Sequence, residues 1–346
     1  MNQPLQVKDH SLPRLREAFT QRGMAPFRAE QLAGWVYAQG VEDPERMTNL
    51  PADLRTALGG ALALRALELE SLAVSEDGTR KGVLRARDGA RIESVVIPEP
   101  ERTTLCVSTQ VGCPLACSFC ATGALGFTRN LSTAEIVDQL CRMRETLPAG
   151  EAITNVVFMG MGEPLLNLPA VLEAIRLLVD PKAFALAPRR VTVSTAGVVP
   201  RLADVVTAAP VNLAVSLHAT TDAVRDVLVP LNRRFPLREL LGALRALPGL
   251  SRRHPIFFEY TLMEGVNDSP EDAERLVKLL AEIPSKINLI PMNAHPDAPY
   301  RAPSPEVADR FLGVLSRARM VSTLRRPRGQ DIAAACGQLA LREARG

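Results

Sequence analysis

The sequence lacks the features that mark membrane, secreted or fibrous proteins. Nothing in its 346 residues reaches the ~18 consecutive apolar residues of a membrane-spanning helix, so we expect no membrane association. Residues 1–10 are polar and contain no apolar segment of the kind found in signal peptides, which predicts a cytoplasmic protein. Low-complexity tracts and internal repeats are also absent. With 47% hydrophobic and 23% charged residues, the composition excludes disordered, collagen-like and coiled-coil classes.

A strong net charge is also missing. The 41 basic and 38 acidic residues give a formal charge of +3, too little to identify a nucleic-acid-binding protein by itself. The arginines nevertheless occur in pairs, at 189–190, 233–234, 252–253 and 325–326, and Arg328 follows the last pair. Because guanidinium matches phosphate geometry but is also a common surface group, the pairs are equally compatible with phosphate contacts and with solvated loops.

Cysteine is scarce, and its distribution is uneven. Six cysteines are too few to form the disulfide framework of a chain this long. Four of them fall within fifteen residues and one lies almost at the end: Cys106, Cys113, Cys117, Cys120, Cys141 and Cys336.

The hydrophobic pattern divides the chain into three parts. Apolar residues three and four apart predict a small helical domain over residues 1–68, with helices in 11–23, 26–40 and 51–67. Three short β-like runs separated by Asp-Gly turns predict an antiparallel extension over 69–100. From 101 to 346, Val-, Ile- and Leu-rich strands alternate with helices.

The third part predicts an α/β fold with a parallel sheet covered by helices. We expect six strands, at 104–109, 155–160, 190–195, 211–217, 256–262 and 286–292, with a possible seventh at 320–326. Ser132 with Glu135, and the Ser-Pro pairs at 269–270 and 304–305, indicate helix starts. Because about six units are fewer than the eight of a closed barrel, we expect an open, partial β/α barrel with its active site at the C-terminal strand ends.

The strongest motif is Cys113-Pro-Leu-Ala-Cys117-Ser-Phe-Cys120, directly after the first strand of the parallel region. Three thiolates on one loop can bind three irons of an iron–sulfur cube and leave the fourth iron open for a ligand. Zinc is the alternative, but a structural zinc site normally has four ligands, and the sequence has no second C-x2-C or H-x3-H pair. Buried structural cysteines are a further alternative. The pattern favours the cluster over both.

This motif at the first strand of a partial barrel resembles the radical S-adenosylmethionine enzymes. The resemblance implies a 4Fe–4S cluster whose open iron chelates S-adenosylmethionine and whose electron cleaves the sulfonium to a 5′-deoxyadenosyl radical. Gly162-Glu163-Pro164 resembles the family's GEP element, in which the glycine allows close backbone approach and the carboxylate accepts the ammonium of the methionine moiety. By the same resemblance, polar residues at later strand ends would contact the ribose, adenine and carboxylate: Ser194, Ser216, Leu217, His218 and Asn293.

A wider match, from residues 105–113 through 120–132, 158–167, 191–202 and 216–219 to 334–339, resembles the dual-specificity RNA adenine C2 methyltransferase family. The resemblance implies methylation of adenosine 2503 in 23S rRNA and of adenosine 37 in some tRNAs. It also implies two S-adenosylmethionine molecules per turnover, a flavodoxin- or ferredoxin-like electron donor and a monomeric enzyme with an RNA-contacting helical domain. Methylation of the same adenosine at C8 and a non-catalytic metal-stabilised RNA-binding protein are alternatives. A radical methylthiotransferase is less compatible, because no second three-cysteine set precedes Cys106.

The family resemblance also suggests roles for the outlying cysteines. Cys336 would be methylated first, and the radical formed on its methyl group would add to the base. Cys106 would then attack the Cys336 sulfur, forming a disulfide and releasing the methylated adenine. Glu93 matches the base that removes the C2 proton, although without the resemblance its pattern favours a surface carboxylate. Cys141 lies on an apolar helix stripe and is expected to pack in the core.

One departure from the family pattern lies close to Cys336. Pro327 replaces the usual threonine in the segment 325–332, so any hydroxyl contribution there is lost.

Overall fold

The computed structural model describes residues 4–296 and 298–341. Its N-terminal part is mainly helical. Helix α1 buries Leu12, Leu15 and Phe19 on one face, as the three-and-four spacing predicts. The elements of this part are β1 (Leu5–Gln6), α1 (Leu12–Gln21), α2 (Arg28–Ala33) continuing as a π-helical segment (Gly34–Gln39), α3 (Ala52–Ala61) and β2 (Leu62–Ala63).

The end of the second predicted helix shows why glycine is needed there. Gly40 closes the π-helical segment with φ of +73°, in the left-handed region. A Cβ at this position would lie 2.9 Å from the Arg144 guanidinium, which donates hydrogen bonds to the carbonyl oxygens of Val36 and Tyr37. The glycine therefore ends the helix and also lets Arg144 cap it from the neighbouring part of the chain.

The third predicted helix is shorter than the sequence indicates. It was expected over 51–67, but α3 ends at Ala61 and β2 pairs in parallel with β1, Leu5 opposite Leu62. The stretch Ala-Leu-Ala-Leu-Arg has apolar residues two apart as well as three and four apart, so both periods fit it. Pairing with β1 selects the strand.

The antiparallel extension is present and continues directly into the parallel sheet. It consists of β3 (Leu67–Val74), β4 (Arg80–Ala86) and β5 (Arg91–Glu99), which pairs with β6 (Arg102–Cys106). Both predicted turns contain a glycine with positive φ, Gly78 at +83° and Gly89 at +84°. One twisted sheet therefore extends from the extension into the barrel.

The barrel contains the six expected parallel strands and the possible seventh. Their order is β6, β9, β10, β11, β12, β13, β14, all parallel, so the prediction of an open partial β/α barrel is confirmed. The strands are β9 (Asn155–Phe158), β10 (Val191–Thr195), β11 (Asn212–Ser216), β12 (Ile256–Leu262), β13 (Ser285–Pro291) and β14 (Val321–Leu324). A small hairpin of β7 (Gln110–Gly112) and β8 (Phe127–Asn130) follows β6.

Helices cover the outer face of the barrel sheet. They are α5 (Thr133–Arg144), α6 (Leu168–Val179), α7 (Leu202–Ala208), α8 (Asp222–Leu228), α9 (Leu237–Arg245), α10 (Pro270–Leu280) and α11 (Pro305–Arg317), after the short α4 (Ala121–Ala124). The predicted capping box is formed: Ser132 Oγ accepts from Glu135 N, and a Glu135 carboxylate oxygen accepts from Ser132 N. Ser269 caps α10 through its hydroxyl, whereas Ser304 occupies the N-cap of α11 without a capping bond to the backbone.

A buried ionic cluster joins the N-terminal part to the barrel. Lys8 pairs with Glu42 and with Asp138 of α5, and Arg142, also on α5, pairs with Glu42. Lys8 and Asp138 are fully buried. If the two parts moved apart, each would be left with buried charges that have no partner, which is strongly destabilising. The cluster therefore holds the N-terminal part in one position on the barrel.

Among the described residues, no helix is both long and apolar enough to cross a membrane.

Candidate active site

A cavity lies at the C-terminal ends of the barrel strands. It is lined by residues that follow or end successive strands, together with the loop after β7 and the C-terminal segment. Nine of the predicted site residues line it: Cys113, Cys117, Cys120, Gly162, Glu163, Ser194, Ser216, His218 and Cys336. The parallel topology alone brings these distant parts of the sequence to one place.

The cysteine loop is held by its own backbone. Cys113 N donates to Gly126 O over 2.8 Å, and Cys120 N donates to Cys117 O over 3.1 Å. Ala116 has φ of +50°, an unusual conformation for a residue with a side chain, and it reverses the chain between the first two cysteines. The loop thereby directs all three thiols to the same cavity.

The spacing of these thiols fits a cluster better than a single ion. Sulfur ligands of one zinc ion, each at ~2.3 Å, must lie within about 4.6 Å of one another. Among the described residues, the one group of three potential metal ligands whose atoms all lie within 4.8 Å is Glu42, Asp138 and Cys141, not the cysteine loop. Thiols bound to three different irons of a cube need the wider spacing.

Burial raises the pKa of each thiol in the loop, that of Cys113 to about 12. For Cys117, the neighbouring Cys120 and Cys113 raise the pKa further. A cationic metal group bound between three buried sulfurs stabilises their thiolate forms against this effect of burial. The donor set therefore fits an iron–sulfur cluster.

The GEP element lies beside this loop. Gly162 has φ of +101°, and a Cβ there would lie 2.6 Å from the Cβ of Gln110, so the position requires glycine. Glu163 is buried, and its carboxylate oxygens accept from Leu165 N at 3.0 Å and Ala196 N at 2.8 Å. Burial raises the Glu163 pKa, while these bonds oppose that effect. Each oxygen retains acceptor capacity toward the cavity, which suits an ammonium group.

His218 is positioned as a neutral hydrogen-bond donor. Its Nδ1 accepts from Thr261 N over 3.0 Å, so the ring proton is on Nε2. Burial, assisted by the positive charge of Arg225, lowers the His218 pKa to about 3. The ring packs edge-on against Phe119 of the cysteine loop, with centroids 4.7 Å apart. Ser194 and Ser216 lie at or near the ends of the two preceding strands, on the cavity wall.

Two predicted cofactor-binding residues are placed differently. Leu217 is fully buried and does not line the cavity; its N–H donates to Glu259 O and its carbonyl accepts from Arg225. Asn293 is also not among the residues that line the cavity. Its side-chain amide donates to Cys336 O over 3.1 Å and accepts a hydrogen bond from Gln330. In this structure, Asn293 holds the C-terminal segment.

The C-terminal segment carries Cys336 into the cavity from the far end of the chain. Ala121 N donates to Gly337 O over 2.7 Å, tying this segment to the helix that follows Cys120. The exposed surface of Cys336 faces the cavity. Cys106, at the end of β6, is buried; burial raises its pKa strongly, and the negative charge of a Cys336 thiolate raises it further.

Glu93 is fully buried, which excludes the surface carboxylate that its local pattern favours. Lys81 Nζ lies 3.1 Å from Glu93 Oε1 as an ion pair, although Oε1 accepts no well-aligned hydrogen bond. Glu93 Oε2 accepts from Leu341 N over 3.1 Å, five residues beyond Cys336. The antiparallel extension therefore brings a carboxylate against the segment that carries Cys336.

The sequence analysis missed three charged residues that contact predicted site residues: Arg225, Glu259 and Lys81. Arg225 is almost fully buried and donates to the carbonyl oxygens of Ala196, Ser216 and Leu217. Glu259 and Arg325 line the cavity wall. In the sequence, each of these residues is visible only as a single charged residue within a strand or helix. The sequence does not show which groups it contacts.

Cys141 is fully buried in α5, as predicted for a packing residue. It lies near Glu42 and Asp138, within the ionic cluster and outside the cavity.

Comparisons with known proteins identify the family of the chain. Residues 107–280 match the Radical SAM superfamily, and residues 5–63 match the Ribosomal RNA large subunit methyltransferase N-terminal domain. The chain is 47% identical to the dual-specificity RNA methyltransferase RlmN of Geotalea uraniireducens, covering 96% of each chain. It is 48% identical to the protein of that name from Syntrophobacter fumaroxidans, covering 97% of this chain and 98% of the relative.

A solved structure supports the same relationship. The crystal structure of a radical SAM methyltransferase from Sphaerobacter thermophilus superposes with a TM-score of 0.90 at 43% identity. The match covers 97% of this chain and 99% of that one.

Proposed function

The chain belongs to the dual-specificity RNA methyltransferase family of the radical S-adenosylmethionine superfamily, and we propose that it methylates C2 of adenosine 2503 in 23S rRNA and of adenosine 37 in some tRNAs. One observation carries the proposal: Cys336 lies in the cavity that the three loop cysteines line, although it comes from the opposite end of the chain. A cluster enzyme that only cleaved S-adenosylmethionine would not need this thiol.

The enzyme uses a 4Fe–4S cluster and S-adenosylmethionine. Cys113, Cys117 and Cys120 would bind three irons, and Glu163 would accept hydrogen bonds from the ammonium group. When bound, the cluster supplies the single electron that starts radical chemistry. Neutral His218 would donate from Nε2 to an acceptor on the nucleoside, and Ser194 and Ser216 would offer hydroxyls to it. The buried, apolar walls keep water from the reacting atoms.

The chain's own thiols would carry the methyl group and release the product. An electron-poor adenine C2 does not attack a sulfonium methyl directly, so the methyl would first be transferred to the Cys336 sulfur. The methyl group would lose a hydrogen atom to the radical that S-adenosylmethionine supplies, and its carbon would bond to C2. The adduct would then give up one electron to the cluster and the C2 proton to Glu93. The Cys106 thiolate would then attack the Cys336 sulfur and form a disulfide. The carbon–sulfur bond breaks with its electron pair on the carbon, which takes up a proton and becomes the methyl group of the released product. Cellular reductants would reopen the disulfide.

Further parts of the proposal concern recognition. Residues 1–68 would form the RNA-contacting domain, residues 69–100 the extension that supplies Glu93, and residues 101–346 the catalytic core. The target base would be turned out of its stack to reach the cavity. We also propose a cytoplasmic monomer that takes electrons from a flavodoxin- or ferredoxin-like protein.

Regiochemistry is tested by treating a 23S rRNA fragment and bulk tRNA with the anaerobically reconstituted enzyme. The RNAs are digested to nucleosides, which are compared with standards by liquid chromatography and mass spectrometry. We expect 2-methyladenosine from both RNAs. 8-Methyladenosine would assign the alternative activity, and product from rRNA alone would remove tRNA from the proposal.

The covalent step is tested with Cys106→Ala, which lacks the thiol that would release the product. We expect a stable protein–RNA adduct, visible as a mass shift of the protein after nuclease digestion. Cys141→Ala is the matched control, because this buried cysteine lies outside the cavity, and it should turn over without an adduct. Free methylated RNA from Cys106→Ala would refute the mechanism.

A further inference from the structure

A buried carboxylate in the cavity has one oxygen without a partner. Glu259 lies in the middle of β12 and is 5% exposed. It lines the cavity together with Thr261, two residues further along the same face of the strand. Its Oε2 accepts no hydrogen bond from any described group. Because an unpaired buried polar atom is costly, this oxygen points to a hydrogen-bond donor that is supplied by a ligand.

Neighbouring strands fix the orientation of this carboxylate. Asn288 on β13 donates from Nδ2 to Glu259 Oε1 over 2.8 Å. The amide oxygen of Asn288 in turn accepts from Thr323 Oγ1 on β14, also over 2.8 Å. This chain of bonds across three strands holds Oε1 against the sheet, and Oε2 has no such partner.

The other side of Glu259 shows which ligand group is near. Glu259 is in register with Ser216 on β11, and both residues line the cavity. Adjacent strands are about 4.8 Å apart, so a hydroxyl and a carboxylate oxygen face the same small volume. A vicinal diol, in which each hydroxyl can both donate and accept, suits such a pair. Carboxylates bind ribose hydroxyls in this way in dinucleotide-binding folds.

We propose that Glu259 Oε2 accepts a hydrogen bond from a ribose hydroxyl of S-adenosylmethionine, with Asn288 and Thr323 as positioning residues. The assignment rests on the proposed function in that it takes S-adenosylmethionine as the ligand of this cavity. Glu163 binds the opposite end of the same molecule, so the two buried carboxylates recognise its ammonium and its sugar separately.

The test measures affinity rather than turnover. Wild type, Glu259→Ala and Glu259→Gln are reconstituted anaerobically and titrated by calorimetry with S-adenosylhomocysteine, with its 2′-deoxy and 3′-deoxy analogues, and with S-inosylhomocysteine. Glu259→Gln keeps the side-chain volume, so it keeps the proposal testable if the alanine variant does not fold. Glu282→Gln, a carboxylate that is 79% exposed, is the control for loss of one negative charge.

We expect Glu259→Ala to weaken S-adenosylhomocysteine binding roughly 10- to 100-fold, the usual effect of a hydrogen bond to a charged group. The deoxy analogue that lacks the recognised hydroxyl already binds wild type more weakly. The Glu259→Ala substitution should therefore change the affinity for this analogue very little. The Glu259→Gln variant should likewise lose affinity for S-adenosylhomocysteine but not for the deoxy analogue that lacks the recognised hydroxyl. Glu282→Gln should bind every ligand like wild type.

Three results would overturn the assignment. Equal losses for every ligand would show a general effect on the cavity. A loss that disappears only with S-inosylhomocysteine would assign Oε2 to the adenine amine. Unchanged affinity with impaired methylation of Cys336 would place Glu259 at that thiol instead. If wild type binds none of these ligands, the proposed function itself fails, which is a separate outcome.

Discussion

The buried guanidinium of Arg225 organises the side of the cavity formed by β10 and β11 and supports a quantitative prediction. Arg225 donates to Leu217 O at 3.0 Å, Ser216 O at 3.1 Å, Ala196 O at 2.7 Å and the side-chain oxygen of Asn232 at 3.0 Å. Burial lowers its pKa to about 10, so it remains charged at neutral pH. One side chain thus joins the ends of β10 and β11.

Replacing Arg225 with methionine removes all four donors and keeps most of the apolar volume. Each buried carbonyl that loses its donor costs about 1–3 kcal/mol. Ala219 N continues to donate to Leu217 O, and the packing of methionine offsets a further part. We therefore expect the free energy of unfolding to fall by about 3–5 kcal/mol. Arg225→Lys keeps the positive charge but not the planar set of guanidinium donors. Its free energy of unfolding should therefore lie between those of wild type and Arg225→Met.

The change in the free energy of unfolding is measured by equilibrium urea unfolding followed by far-ultraviolet circular dichroism. The comparison requires that the slope of this free energy against urea concentration is the same in wild type and variant. Arg238→Met is the matched control, because Arg238 is exposed on α9, and it should remain within about 0.5 kcal/mol of wild type. The reasoning is refuted if Arg225→Met is also within about 1 kcal/mol of wild type, or if the lysine variant is the less stable of the two.

Two further predictions concern single side chains. Because the His218 pKa is lowered to about 3 in the folded state, its contribution to stability is complete above pH ~6.5 and is lost as the pH falls toward 3. His218→Asn should therefore flatten the pH dependence of the unfolding free energy in this window, and an unchanged slope would contradict the assignment. Ser132→Ala removes half of the capping box of α5 and should cost about 1 kcal/mol in urea unfolding. The control Ser316→Ala, at an exposed position in the last turn of α11, should cost less than half of that. Equal losses would show that the cap contributes no more stability than an ordinary exposed serine.

Much of the fold follows from local patterns. The parallel strands are apolar on both faces and are separated by capped helices, and these signals depend only on residues near each other in the sequence. The one clear error, the length of α3, fell where two periods overlap, and a distant strand decided the outcome. The β-extension turns were predictable because glycine is required by the backbone itself.

The candidate site was predictable to different degrees. The cysteine loop and Gly162-Glu163 are local motifs in which spacing and chemistry are visible together. Leu217 and Asn293 were predicted from their places at strand ends together with the family resemblance, and in this structure both are engaged with protein groups rather than lining the cavity. Glu259 was missed because a glutamate in an apolar strand does not reveal whether its second oxygen will have a partner.

The order of the residues was enough to determine the periodic elements, their caps and the loop with three thiols, since each depends on contacts within a few positions. Tertiary structure alone decided that Cys336 meets this loop, that Glu93 is buried beside Lys81, and that one oxygen of Glu259 is left for a ligand. These are relations between segments far apart in the chain. Burial and pairing at such distances arise only when the whole sheet has formed beside the cavity, because interactions between neighbouring residues in the sequence do not determine them.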